Sequence, residues 1–523
     1  MARQKSEDRT VPKGRRKTVV TCGVEHRGGG KAVPVNEQSR QLELRFETAE
    51  VRAVQAARSD GVAGRGVPLA AAFAVPKSKH REEKAASATI EEVTKRLGEA
   101  FQNVARNKGA PGPDRQSIDE VRERLGEVLP KVSAALLAGS YVPGDIRRVW
   151  IPKSGGAQRG LGIPNVIDRV VQEAVRLVLE PQYEPTFHAS SHGFRPGRSC
   201  HTAIAQARSY VEEGYEWVVD LDLEKFFDRV SHQRLMARLA QRVTDRRLLV
   251  LIGRMLKAKV VMPDGVVVGT EEGVPQGGPL SPLLSNIVLD ELDQELDRRG
   301  HRFVRYADDC NIYVGSERAG QRVMASVERF IERRLRLKVN ASKSAVAHPE
   351  ERHFVGFRLR REPLEGTVEV LLSKRSQERV DAKIREQTPR NWGNTLRACI
   401  LRLNAFLLGW MGFFRICTPE IVQTLRRLDA HIRRRLRAIQ LAHWKTKLTA
   451  VRKLIKLGVR PRIAWKGIYT GRRSRWALSH SSAVDRGLCN AYFAEQGLVS
   501  LADRWEELAR QIVAPAQLTL SLG

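Results

Sequence analysis

Arg302-Phe303-Val304-Arg305-Tyr306-Ala307-Asp308-Asp309-Cys310-Asn311-Ile312-Tyr313-Val314 reads as two short strands meeting at a turn. Phe, Val, Ile and Tyr favour extended backbone, and the adjacent aspartates fall where the hairpin reverses. Two neighbouring carboxylates repel each other, and a divalent cation best offsets that cost. An oxygen-only donor set of this kind suits Mg²⁺ or Mn²⁺. An Asp-Asp pair by itself is more often a solvated turn. The metal reading therefore needs a third carboxylate and a setting that explains a cation.

Trp217-Val218-Val219-Asp220-Leu221-Asp222-Leu223 supplies that carboxylate. It reads as a strand, with Asp220 and Asp222 on one face and Val219, Leu221 and Leu223 on the other. Aspartates in such apolar surroundings call for a cation or a basic partner. A strand-borne Asp followed well downstream by an Asp-Asp hairpin is the palm arrangement of template-directed polymerases. A cluster of this kind holds two Mg²⁺ about 3.5–4 Å apart. Nucleotidyl transfer there depends on positioning and charge neutralisation more than on covalent chemistry.

The composition agrees with a polyanionic partner. The 523 residues carry 90 Lys and Arg against 59 Asp and Glu, a net charge of +31. Nucleic acid fits that balance better than an anionic membrane, because the longest apolar stretch, Ala405 to Phe414, is too short to span a bilayer. The first residues lack the apolar core of a secretory signal. Cys22, Cys200, Cys310, Cys399, Cys417 and Cys489 form no Cys-x-x-Cys pair, which speaks for free thiols and against a zinc finger. Residues 1–85, rich in Gly, Arg, Lys and Ser, read as a basic, disordered extension. A helix is expected from Ile90 to Lys108, with Val93, Leu97, Ala100, Phe101 and Val104 inward. Helices and strands then alternate to about residue 360, as in an α+β fold, and Arg-rich helices follow from about residue 374. A further helix is expected after Ser281, with Ser281 as N-cap, Pro282 at its first position and Gly300 past its end.

Several motifs occur in order along the chain. They are Asn107-Lys108-Gly109-Ala110-Pro111-Gly112-Pro113-Asp114, Arg148-Val149-Trp150-Ile151-Pro152-Lys153 with Arg159-Gly160-Leu161-Gly162-Ile163-Pro164, and Ser191-His192-Gly193-Phe194-Arg195-Pro196-Gly197-Arg198-Ser199. Then come the Asp222 strand, Pro275-Gln276-Gly277-Gly278-Pro279-Leu280-Ser281-Pro282, the Tyr306 box, Lys343 and Val355-Gly356-Phe357. Taken together the chain resembles a bacterial group II intron reverse transcriptase/maturase, from about residue 90 nearly to its end. The resemblance implies a right-hand polymerase with fingers and palm over 86–365 and an all-helical thumb/maturase domain over 366–445. Over 446–523 it implies a basic maturase or DNA-binding-like region, without a His-Asn-His nuclease domain.

The same resemblance implies roles for individual residues. Asp222, Asp308 and Asp309 are the catalytic ligands of two Mg²⁺, with Mn²⁺ as a substitute and the backbone of Leu223 as a further donor. The family spacing, Asp, three residues, then Phe-Phe, selects Asp222 over Asp220. Lys153 and Arg159 flank Ser154-Gly155-Gly156, and a short hairpin there points both cations at one triphosphate. Phe227 stands where these enzymes keep a bulky side chain under the sugar, against plain core packing beside Phe226. Gln276, with Gly277 and Gly278, lets backbone approach the incoming nucleotide, and Lys343 completes the nucleotide-binding set. Gly356 faces the primer strand, with a strand turn as the plainer alternative.

From Lys374 to Arg475 the positive excess is roughly twenty, concentrated on helical segments. Ile432, Leu436 and Ile439 mark one buried face, and Arg433, Arg434, Arg435 and Arg437 fan over the rest. With Arg472 and Arg473 they are expected to bind structured RNA through phosphates and shape. Trp410, Phe413 and Phe414 are expected in the helical core. The implied partners are a group II intron RNA, an RNA template, a DNA primer or target, and dNTPs, with no membrane and with a dimer left open. The implied setting is the bacterial cytoplasm, and the nucleoid when acting on DNA. The implied activity is RNA-directed DNA polymerisation together with splicing and mobility by target-primed reverse transcription. The alternatives are a splicing-only RNA-binding maturase and a polymerase domesticated for defence or repair.

Overall fold

Ten strands in three sheets organise the chain in a computed structural model that describes residues 88–152, 158–364, 366–470 and 474–518. The predicted extension, 1–85, lies outside the described residues. In chain order the strands are β1 (Ile146–Pro152), β2 (Gln158–Ile163), β3 (Trp217–Leu221), β4 (Val260–Val261) and β5 (Val267–Val268). They continue with β6 (Arg302–Tyr306), β7 (Asp309–Val314), β8 (Ala345–Ala347), β9 (Phe357–Arg361) and β10 (Val368–Leu372). The sheets are ordered β2-β1-β4-β5, β6-β7-β3-β8 and β10-β9. After β10 the described chain is helical, so the predicted α+β character and the later switch to helices both hold.

The β6-β7-β3-β8 sheet separates two apolar clusters, and the period-two alternation of its strands assigns each residue to a side. Val219, Leu221, Phe303, Cys310, Ile312 and Val314 enter the first cluster, whereas Val218, Val304 and Tyr313 enter the second. The first is completed by helices α1 (Val166–Tyr183) and, further along, the helix from Ser281 to Arg298. The second draws on α2 (Cys200–Glu212), through Ala203, Ile204, Ala207 and Val211, and on the C-terminal helices. It runs without a break from Ala203 to Trp505, across both expected domain boundaries near residues 366 and 446. Each large aliphatic buried there, such as Leu403, Leu407 or Leu436, contributes about 1.5–3 kcal/mol.

Local expectations meet the structure in three instructive places. The helix expected over Ile90 to Lys108 is two helices, Ile90–Lys95 and Leu97–Arg106, interrupted at Arg96. Its predicted apolar residues are nevertheless all buried. Helix α3 (Phe226–Arg229) follows β3 after Lys225, which takes the left-handed conformation. Helix α4 (Ser281–Arg298) has Leu280, not Ser281, at its N-cap, because the Ser281 hydroxyl instead donates to the Pro275 carbonyl at 2.6 Å.

Helix α5 (Lys374–Gln387) starts on Ser373, whose side chain accepts from the Ser376 amide, and α6 (Leu396–Phe414) starts on Thr395 in the same manner. Helix α6 is 19 residues long and is the described helix long and apolar enough, by length and composition, to cross a membrane. The apolar stretch expected from Ala405 to Phe414 is the second half of this longer helix. In the structure Cys399, Ile400, Leu403, Leu407, Trp410, Met411 and Phe414 of α6 are buried in the second cluster, as expected for Trp410 and Phe414. It packs beside α7 (Val422–His443), whose Ile432, Leu436 and Ile439 are buried as predicted.

Candidate active site

The β6–β7 hairpin closes with Tyr306 paired to Asp309, leaving Ala307 and Asp308 as a two-residue turn. Ala307 has φ +56°, a left-handed conformation that a residue with a Cβ adopts at a cost. The β3–β7 pairing sets Leu221 against Cys310, and the β3–β8 pairing sets Asp220 against Ala345. Continuing both registers beyond the strand ends places Asp222 between Asp309 on one side and Lys343 on the other. The three aspartates picked from the sequence thus meet at one end of one sheet, with Lys343 beside them.

Charge is balanced locally. Lys343 Nζ lies 2.8 Å from Asp222 Oδ2. The Asp222 amide donates to Ser344 Oγ at 3.0 Å, and the Asp222 carbonyl accepts from the Asn340 amide at 2.8 Å. Leu223, offered as a backbone donor, sits in an isolated bridge with Val339, its side chain in the first cluster. Asp220, unassigned from the sequence, is paired with Arg352, Nε to Oδ2 2.8 Å, and Arg352 Nη2 also donates to the Lys343 carbonyl at 2.5 Å.

Asp309 keeps an open side to water while protein crowds the others. That desolvation, followed by repulsion from Asp308, Asp220 and Asp222, pushes its carboxyl up to about 7, and Lys343 opposes the rise. Asp308 is also raised, first by burial and then by Asp222, against Arg159 and Lys343. Among the described residues no three His, Cys, Asp or Glu side chains stand close enough to enclose a metal ion. Lys343 engages one of the three aspartates, Asp222. The donor set is all oxygen, as suits a hard divalent cation, and at Asp309 repulsion from three neighbouring aspartates adds to the larger effect of burial.

A second group approaches from the β2-β1-β4-β5 sheet. Arg159 Nε donates to Gln276 Oε1 at 2.8 Å, and the Gly162 amide donates to the Gln276 carbonyl at 2.7 Å. Gly277 has φ +125°, and a Cβ there would collide with the Gly162 carbonyl, so only glycine lets the two loops touch. Lys153 lies outside the described residues. Phe227 is buried in the first cluster, its ring centroid 5.3 Å from that of Phe226, as plain core packing requires. Its carbonyl accepts from the Val274 amide at 2.6 Å, which ties it to the loop carrying Gln276.

The expected RNA-binding residues divide. Arg433 and Arg434 line a cleft of about 440 Å³ with His431 and His480, and the Arg434 guanidinium stacks 4.2 Å from the Trp476 ring. Arg435 and Arg437 correct the picture of arginines fanning into solvent. Arg435 Nη2 donates to the Thr388 carbonyl at 2.7 Å, while Arg437 pairs with Asp485 and donates to the Leu488 carbonyl at 2.9 Å. Both guanidinium groups bond the backbone of neighbouring segments, while Arg437 and its partner Asp485 also form part of the cleft wall. Arg472 and Arg473 lie outside the described residues. Gly356 forms, with Val355, the turn into β9, and its Cα faces the rings of Phe413 and Phe414.

Residues not singled out from the sequence lie behind the turn. Arg305 is wholly buried and paired with Asp293, alongside Asn286 and Ser191. The signal was present: Arg305 interrupts the inward-facing apolar positions of β6.

The family model described as reverse transcriptase (RNA-dependent DNA polymerase) matches residues 151–359, and that of the group II intron maturase-specific domain matches 377–457. Protein YkfC of Escherichia coli is 33% identical over 348 residues, covering 59% of this chain and 89% of that protein. The group II intron-encoded protein LtrA of Lactococcus lactis is 31% identical over 328 residues, covering 50% of this chain and 54% of LtrA. The putative COX1/OXI3 intron 2 protein of Saccharomyces cerevisiae is 28% identical over 53% of this chain and 39% of its own length. The chain therefore matches about half or less of the length of these two intron proteins. A chain of a solved partial Cas6-RT-Cas1–Cas2 complex aligns over 47% of this chain and 42% of its own length at 24% identity, with a TM-score of 0.31.

Proposed function

The chain belongs to the reverse transcriptases encoded by group II introns, and from that premise we propose that it copies RNA into DNA while binding its intron RNA to promote splicing and mobility. The row Lys343, Asp222, Asp309 across the sheet, with Asp308 in the adjoining turn and Arg159 acting electrostatically on it, is the observation that carries this reading. In it the β6-β7-β3-β8 sheet is the palm, the β1–β2 hairpin the fingers, α6 and α7 the thumb, and the region from 446 onward a basic surface for RNA or target DNA.

Two Mg²⁺ bound by Asp222, Asp308 and Asp309, with the Leu223 carbonyl, would supply Lewis-acid stabilisation of the attacking 3′-oxygen and the leaving pyrophosphate. The protein supplies position and charge around them. Arg159, oriented by Gln276, presents its guanidinium to the triphosphate of a dNTP. Lys343 lowers the carboxyls of Asp308 and Asp309 and so favours their ionised, ligating form near neutral pH. Arg433 and Arg434 offer cations and a stacked Trp476 to RNA.

The test is primer extension on an RNA template with dNTPs and Mg²⁺. Asp308→Ala or Asp309→Ala should abolish extension while RNA binding persists, and normal extension by either variant would refute the site.

A further inference from the structure

Arg305 occupies a position on β6 where the alternation calls for an apolar side chain, since Phe303 on the same face is in the first cluster. Its guanidinium has five N–H donors, and each meets an acceptor. Nε donates to Asp293 Oδ1 at 2.7 Å and Nη2 to Asp293 Oδ2 at 2.5 Å. Nη2 also donates to Ser191 Oγ at 2.7 Å, and Nη1 to Asn286 Oδ1 at 3.1 Å. The fifth bond, Nη1 to the Ala307 carbonyl at 2.8 Å, reaches the left-handed residue of the turn itself. Arg305, Asp293, Asn286 and Ser191 are all buried, with at most 0% relative exposure recorded for each.

The segment beside the turn is held by the same group. The Arg305 amide donates to the Ser190 carbonyl and the His192 amide to the Arg305 carbonyl, both at 2.8 Å. Asn286 Nδ2 donates to the Gly193 carbonyl at 2.9 Å. Gly193 lies so near that a Cβ would collide with the Ala307 amide nitrogen. A buried ion pair is a poor source of stability compared with apolar residues of the same volume, so stability alone is a weak reason to place an arginine here. Directly through the Ala307 carbonyl, and indirectly through Ser190, His192 and Gly193, the set reaches the backbone that presents Asp308 and Asp309.

We propose that Arg305 is a positioning residue for the carboxylate turn, locking Ala307 through its carbonyl and thereby setting the directions of Asp308 and Asp309. This rests on the polymerase reading above only for its consequence in catalysis. Lysine cannot replace it, having three donors on one nitrogen where the site needs a planar fork of five.

The test uses the full chain in two variants. Asn286→Ala leaves the Arg305–Asp293 pair intact but removes one bond to the Arg305 guanidinium and one to the Gly193 carbonyl beside the turn, and the double variant Arg305→Met/Asp293→Leu removes both charges together. Mn²⁺ binding is read by electron paramagnetic resonance, independently of turnover. Primer extension supplies kcat, the KM for dNTP and the Mg²⁺ concentration for half-maximal rate, with thermal melting and RNA affinity measured alongside. In each variant Mn²⁺ affinity and kcat should fall by about tenfold or more, with KM for dNTP and RNA affinity within about twofold of wild type. A third variant, Arg305→Lys, should lose Mn²⁺ affinity and kcat to a smaller extent than the double variant. Unchanged Mn²⁺ affinity in a folded variant overturns the proposal, and so does a loss of melting temperature and RNA affinity that parallels the loss of kcat. A wild-type chain that binds Mn²⁺ but extends no primer refutes the polymerase reading, while Mn²⁺ binding still decides the role of Arg305.

Discussion

Lys343, just before β8, and Asp222, just after β3, are joined Nζ to Oδ2 at 2.8 Å, beside the carboxylates to which a divalent cation is expected to bind. The ammonium also lowers the carboxyls of Asp308 and Asp309. Lys343→Ala removes that influence, so both carboxyls titrate higher and fewer are ionised at a given pH. At subsaturating Mg²⁺ the rising limb of the pH–rate profile for primer extension should therefore move to higher pH. Saturating Mg²⁺ should bring the two profiles back together, because bound metal favours the ionised carboxylates in both proteins.

Asp309, raised from 3.8 to about 7, binds its proton more tightly in the folded than in the unfolded chain. Its ionisation therefore opposes folding, with no effect below about pH 4, a growing one as pH rises to about 7, and a constant one above. Asp309→Asn should melt higher than wild type in EDTA at pH 8, by about 1–2 °C given that water reaches the carboxylate and screens it. The difference should close as pH falls toward 4. Thermal unfolding followed by circular dichroism at several pH values checks it.

Arg159 and Gln276 act as one unit through their 2.8 Å hydrogen bond. Arg159→Ala should raise the KM for dNTP by about tenfold, the size of a lost charge-assisted contact. Gln276→Ala should raise it in the same direction, and the double variant should lose less than the product of the two single effects. Steady-state primer extension over a dNTP series measures all three.

Arg433 and Arg437 sit four residues apart on α7 and are expected to behave differently. Arg437 is buried, paired with Asp485 and bonded to the Leu488 carbonyl. Arg437→Ala should lower the melting temperature, by the equivalent of about 1–3 kcal/mol for the groups it leaves unpartnered, with little change in the salt dependence of RNA binding. Arg433→Ala should leave melting within about 0.5 kcal/mol and reduce the slope of log affinity against log salt by about 1. Filter binding over a salt series separates the two.

What the sequence made legible follows from how locally each feature is encoded. The Asp308–Asp309 turn and the β3 strand announce themselves through β-favouring runs and alternation, and the register then brings Asp222 to them. The Arg159–Gln276 hydrogen bond joins residues 117 positions apart, and it was accessible only as two roles implied by resemblance. Arg437 looked like its neighbours because a run of arginines carries no record of which one faces Asp485. Ser281 has the residue type of a cap, yet the nearby Pro275 carbonyl takes its hydroxyl. The Arg305 set was missed because its acceptors come from three separate segments, and only folding assembles them.

The apolar cluster from Ala203 to Trp505 has a consequence for how this chain can be divided. A cut near residue 366 would part β9 from β10, Phe357 from the rings of Phe413 and Phe414, and His201 from the Phe413 carbonyl. Recombination that swapped the helical part for one from a diverged relative would have to bring matching partners for Phe357, Gly356 and His201 with it.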